Sequence, residues 1–250
     1  CGFPTLAGIR AEGVHAWIAE RREAGDAPRT INGHLQALRQ MVKWAIGDGR
    51  LASNPVVGVS AVRVIGQTFQ RRPLDPAEAA QLLSVTEDGP IRRGMAGPDR
   101  AMLYRVALGT GFRAAEIASL TPECFDLDAD PPAVTVRAAY SKRRRDDRQP
   151  IRSDLAETLR GWLDNKRPGE PVFRVGDLSR LAATLRADLR LGRARWIRAV
   201  SGPAERRERA RTDFLREVDR DERRVDFHAL RASYITMLVK SGASVKEAQE

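Results

Sequence analysis

The spacing of apolar positions predicts a chain that is mostly helical. Val14, Trp17 and Ile18, with Arg21, mark a short amphipathic helix that Gly25 ends. Thr30 then stands as the cap of a longer helix with an apolar stripe of Ile31, Leu35, Leu38, Val42 and Ala45. Gly47-Asp48-Gly49 stops that helix, and Asn54-Pro55 forbids its resumption. Residues 56–72 keep no sustained period and read as a connector. The next helix has a strong start signal, with Asp75 as cap, Pro76 in the first turn and Glu78 closing a capping box.

Asp99–Leu108 reads as a mostly apolar central helix, broken by Gly109-Thr110-Gly111. Ala133–Tyr140 alternates and is rich in Val and Thr, which predicts a strand, and Gln149-Pro150-Ile151 fits its return. Ser153 is placed as the cap of a helix to Leu163, and Ser179–Leu191 is amphipathic through Leu181, Leu185 and Leu189. A basic stretch, Arg193–Arg224, is expected to form a helix and then a hairpin of Phe214–Val218 with Val225–Phe227. From Asp226 a last periodic run (Leu230, Ile235, Leu238, Val239) extends to Gly242. Ser244-Val245-Lys246-Glu247 is a further capping box. The fold class is therefore mainly α with a small β-sheet or hairpin, α+β. At 250 residues, one or two domains are expected.

Charge changes this picture. The chain carries a net +10, which favours a polyanionic partner. Residues 137–152 hold seven Lys or Arg against Asp146 and Asp147, half of that excess in one hairpin. On the second helix, Arg29, Asn32, Gln36, Arg39 and Lys43 form a polar stripe flanking the apolar one. It is either a solvated face or a face laid along DNA, with Arg and Lys on phosphates and Asn or Gln on base edges. Two cysteines without a pairing pattern point to a reducing cytoplasm. Three histidines (His15, His34, His228) argue against a His-based metal site, and neither a P-loop nor a membrane-length apolar run occurs.

Two stretches carry candidate chemistry. In D-F-H-A-L-R-A-S-Y-I-T, His228 and Arg231 sit three apart on one helix face. In G-T-G-F-R-A-A-E-I-A-S-L, Arg113 opens a helix with Glu116 three residues on. Together they resemble the tyrosine recombinase (phage integrase) family, whose hallmark is R-x-x-E followed, over a hundred residues later, by H-x-x-R. The resemblance implies a helical core-binding domain, present in part over residues 1–63, a linker over 64–73, and a catalytic domain over 74–250 that stops before the nucleophilic tyrosine. It implies breakage and rejoining of double-stranded DNA through a 3′-phosphotyrosyl link, with no cofactor, alongside other recombinase protomers in the cytoplasm at the nucleoid.

Carried over residue by residue, Arg113 and Arg231 would clamp the reacting phosphate and His228 would assist. Glu116 would orient Arg113. Lys142, in Y-S-K of the basic hairpin, would protonate the leaving oxygen, with Arg143, Arg144 and Arg145 crowding that register and reaching for DNA. Tyr234 falls where the family has a buried aromatic, and Tyr140 sits in a strand, so neither is expected to be the nucleophile. The alternative is a sequence-specific DNA-binding protein that keeps the fold without the reaction.

Overall fold

The computed structural model describes residues 2–65, 70–141 and 144–243. Lys142, Arg143 and the Ser244–Glu247 capping box lie outside the described residues. The chain divides into two compact units, Cys1–Thr68 and Phe69–Glu250.

In the first unit, α1 (Ala11–Glu23) and α2 (Pro28–Gly47) pack through Val14, Ile18, Ile31, Leu35 and Val42. Helix α2 begins earlier than the apolar stripe suggests. Ala27 is its N-cap and Pro28 occupies its first turn, so Thr30 lies inside the helix rather than capping it. The proline brings a fixed φ and lacks an N–H that would have no intrahelical partner there. Part of the expected connector belongs to this core. Val56 and Val59 are buried in it, and Asn32 clasps Val62 by accepting from its N–H and donating to its carbonyl, both at 2.8 Å.

The second unit is built on α4 (Gly97–Thr110), which is buried along most of its length. Around it stand α3 (Pro76–Glu87), α6 (Ser153–Leu163) and α9 (Phe227–Lys240), and α7 (Leu181–Arg198) packs on α3. The capping box at Asp75 forms as its sequence predicts, with Glu78 N–H donating to Asp75 at 2.8 Å and Asp75 N–H to Glu78 at 3.1 Å. Glu78 is buried and also accepts from Arg72 and from the Leu215 N–H. It thereby joins the start of the unit to the end of the basic stretch.

Helix α4 runs through Gly109 and Thr110 and ends only at Gly111, whose φ of 66° is the left-handed conformation glycine adopts without strain. Gly109 serves close packing rather than a break, since a Cβ there would come within 2.5 Å of Leu155. A buried ionic network fixes α4 against α7. Arg100, fully buried, donates to both Asp188 oxygens at 2.9 and 3.2 Å and to the Met95 carbonyl at 2.7 Å. Arg92 and Tyr104 complete the shell around Asp188.

The sheet has three antiparallel strands in the order β1 (Phe125–Asp126), β2 (Ala133–Val136), β3 (Asp147–Pro150). Strand β2 is half as long as its Val/Thr alternation suggests and ends at Val136, because residues 137–141 turn away on Arg137 carbonyl bonds. The short β1 was not legible in the sequence. Arg152, not Ser153, is the N-cap of α6. The basic stretch folds as the end of α7 and a second helix, α8 (Pro203–Arg211). The hairpin expected after it reduces to a single bridge, Val218 with Arg224, since Phe227 already begins α9.

Candidate active site

The site is assembled where the end of α4 meets the start of α9. Arg113 is the N-cap of α5 (Ala114–Ala118). Glu116, almost fully buried, accepts from both the Arg113 backbone N–H and its guanidinium, each at 2.7 Å. One carboxylate thus sets backbone and side chain together, and leaves Arg113 partly open to solvent. The consequence of the pair is geometric, a buried carboxylate holding a partly open guanidinium in place.

Asp226 caps α9 by accepting from the Ala229 N–H at 2.9 Å, which places His228 and Arg231 in the helix's first turns. Arg231 donates to the Gly111 carbonyl, the residue that ends α4. A Cβ on Gly111 would meet the Tyr234 ring at 2.5 Å, so glycine is required there twice, for its φ and for this contact. The Tyr234 hydroxyl accepts from Gln149 at 2.7 Å and ties α9 to β3. Burial raises the Tyr234 pKa, against that hydrogen bond and the Arg231 charge.

His228 is held below its ordinary pKa, first by desolvation, then by the charge of Arg71, with Arg231 and Arg113 adding and Asp226 opposing. The predicted quartet Arg113, Glu116, His228 and Arg231 therefore lies within one electrostatic neighbourhood. Arg71 is a member that sequence reasoning missed. Its Nε donates to both Asp226 oxygens at 3.0 and 2.9 Å. Backbone bonds fix its segment beside α9, Arg224 N–H to Gln70 carbonyl at 2.9 Å and Arg72 N–H to Arg224 carbonyl at 3.0 Å. The pairing of Arg71 with Asp226 spans 155 positions and leaves no local pattern in the sequence.

Other candidates separate. Arg144 and Arg145 are exposed near the hairpin tip, whose base is closed by Ala138 N–H donating to Asp146 at 2.8 Å. On α2, Arg29, Gln36 and Lys43 are exposed at seven-residue spacing. Asn32 and Arg39 instead hold the backbone at Val62 and Val59. No His, Cys, Asp and Glu grouping among the described residues could hold a metal ion. Nor is any helix among them long and apolar enough to cross a membrane.

The phage integrase family profile matches residues 72–250. A tyrosine recombinase XerC of Mycobacterium leprae is 24% identical over 243 residues, covering 95% of this chain and 72% of that protein. The XerC of Salmonella typhi is 31% identical over 151 residues, 60% of this chain and 46% of that protein. Against this and a XerC from Yersinia pestis, covered to 55%, the matched region spans about half of the relative's length. Among solved structures, the Tn1549 transposon integrase in complex with transposon right end DNA superposes with a TM-score of 0.65 at 16% identity, over 98% of this chain and 77% of that one. A lambda integrase dimer bound to a COC' core site gives 0.61 at 16%, over 96% and 77%. The likeness to these structures concerns the fold. Residues 72–250 contain both arginine-bearing stretches and the helices that bring them together, and by that match the chain belongs to the phage integrase family.

Proposed function

We propose that this chain carries the DNA-cleaving and rejoining centre of a site-specific recombinase that works through a 3′-phosphotyrosyl intermediate. The observation that carries the reading is the convergence of Arg113 and Arg231, each held by its own partner, with His228 between their fields. Attack of a tyrosine oxygen forms an O–P bond while the P–O5′ bond breaks. The pentacoordinate phosphorus in between carries more negative charge on its non-bridging oxygens than the diester does. Two permanently charged forks fixed in advance stabilise that charge without reorganising. His228, kept neutral near pH 7, can accept a hydrogen bond or the tyrosine proton. Lys142, by its match to the family pattern, would deliver a proton to the departing 5′ oxygen.

The attacking hydroxyl is supplied by a tyrosine other than the three in this sequence. Tyr104 is fully buried and donates to Asp188, and burial followed by that negative charge raises its pKa well above the ordinary value. Tyr234 is packed against Gly111 and occupied by Gln149, and Tyr140 is exposed on the turn that follows β2. DNA is held by Arg29, Gln36 and Lys43 on α2 and by the hairpin arginines Arg143, Arg144 and Arg145, with further protomers on the same duplex. A nicked suicide substrate tests this. The 250-residue chain should give no protein–DNA adduct on a denaturing gel, and the natural full-length protein should give one. An adduct from the 250-residue chain that disappears in Tyr234→Phe would overturn the choice of nucleophile. No adduct from the full-length protein would leave the DNA-binding alternative.

A further inference from the structure

The arginines of the basic stretch fall into two groups. One is structural. Arg193 donates to the carbonyls of Ala210, Thr212 and Phe214, closing the base of the α7–α8 hairpin. Arg209 lies 4.7 Å over the Trp196 ring and donates to the Trp196 carbonyl, and Trp196 packs on Phe214 at 4.3 Å. Arg206 binds the Val200 carbonyl, while Arg186 and Arg190 share Glu217. The second group is Arg195, Arg198, Arg207 and Arg211. All four are exposed, and their guanidinium groups make no ion pair or hydrogen bond among the described residues.

These four are spaced three apart on α7 and four apart on α8, so each pair places like charges on neighbouring turns. Within each pair the like charges repel, while Arg195, Arg198 and Arg211 stand in last turns, where the helix dipole favours a cation. Residues 181–211 carry nine arginines against Asp188, Glu205 and Glu208, and of those acids Asp188 is buried in the α4 network and Glu205 faces Arg209. A hairpin held rigid by its inner arginines while its outer ones repel is arranged for an external polyanion. It is also joined to the active site by chain, since residues 212–225 lead from α8 into Asp226.

We propose that the α7–α8 hairpin is a second contact for duplex DNA, gripping backbone phosphates through Arg195, Arg198, Arg207 and Arg211. It rests on the recombinase reading. Because arginine on phosphate reads charge and not base edges, the contact is sequence-independent and additional to recognition of the recombination site.

The test compares wild-type chain with a variant in which all four residues are changed to Gln, using a labelled random-sequence duplex over a salt series. Circular dichroism and thermal melting establish that the variant is folded, and the pairs Arg195→Gln/Arg198→Gln and Arg207→Gln/Arg211→Gln serve if the fourfold change does not fold. The expected result is weaker binding to every sequence and a slope of log affinity against log salt that is shallower by roughly 0.9 for each phosphate no longer gripped. A folded variant with an unchanged slope would overturn the second contact while leaving the recombinase reading intact. Failure of the wild-type chain to bind any duplex would count against that reading itself. Wild-type binding to phosphatidylserine vesicles in preference to duplex, abolished in the variant, would also overturn the proposal.

Discussion

At the scale of single residues, the site is defined by what each charge leans on. Arg113 depends on Glu116, and Arg231 on the backbone carbonyl of Gly111, the residue whose left-handed turn ends α4. On the proposed mechanism each arginine acts chiefly on charge that develops during the reaction. In a form of the protein that yields the covalent adduct, Arg113→Ala or Arg231→Ala should therefore lower covalent DNA attachment by about 10²–10³-fold or more while most of the binding remains. Equal losses in a gel-shift titration and a cleavage assay would show the two side chains to be structural.

His228 provides a probe of the same site, as three histidines give separable ring resonances. Its folded-state pKa lies below the ordinary 6.5. Between those two values the unfolded chain binds more protons, so this contribution to stability is complete above 6.5 and declines as pH falls through the window. Removing the cationic neighbour in Arg71→Ala should raise the His228 pKa toward its ordinary value. A DNA phosphate placed between Arg113 and Arg231 should raise it too, so binding takes up protons and tightens as pH falls. A proton NMR titration that shows no shift in either case would place His228 outside the field of these groups.

At the scale of elements, the Arg100–Asp188 network does what apolar packing alone cannot. It fixes one helix against another at a defined register. A buried pair is costly to break from one side, because the surviving charge is left without a partner. Asp188→Asn should destabilise the second unit by about 3–5 kcal/mol, whereas a double replacement of Arg100 and Asp188 by apolar residues of similar volume should cost far less. Chemical denaturation of the two variants distinguishes these outcomes.

Elements also show where sequence reading succeeds and stops. The capping box at Asp75 was legible because its whole geometry lies within three residues. So were the stripe of α2 and the pairing of His228 with Arg231 on one helix face. The bridge from Arg71 to Arg224 and the embrace of Val62 by Asn32 were not, because each is decided by a partner distant in sequence. Asn32 illustrates the cost of reading stripes by composition. It sits in register with Arg29 and Gln36, yet both ends of its amide hold backbone.

At the scale of the whole molecule, basic charge is unevenly divided between fixed and available groups. Arg29, Gln36 and Lys43 on α2 and Arg144 and Arg145 near the hairpin tip are exposed, in addition to the α7–α8 face. Arg29→Ala/Lys43→Ala should weaken binding to all duplexes and flatten its salt dependence by up to about 2 in slope. Gln36→Ala should leave the slope unchanged and alter preference among sequences, since an amide can read a base edge but neutralises no phosphate. A salt series on matched and scrambled duplexes separates the two effects.

The way the α7–α8 hairpin is closed bears on how such a segment can be gained or shed. Arg193 grips three carbonyls at its foot, Trp196 packs on Phe214, and Glu78 with Arg72 holds the segment that leaves it. Everything beyond those fastenings, from Arg198 to Arg211, hangs from a stem that closes on itself. A segment built this way can be grafted, lengthened or deleted by evolution or by an engineer without redrawing the fold beneath it. Its removal would yield a smaller scaffold of the same fold onto which another module could be spliced.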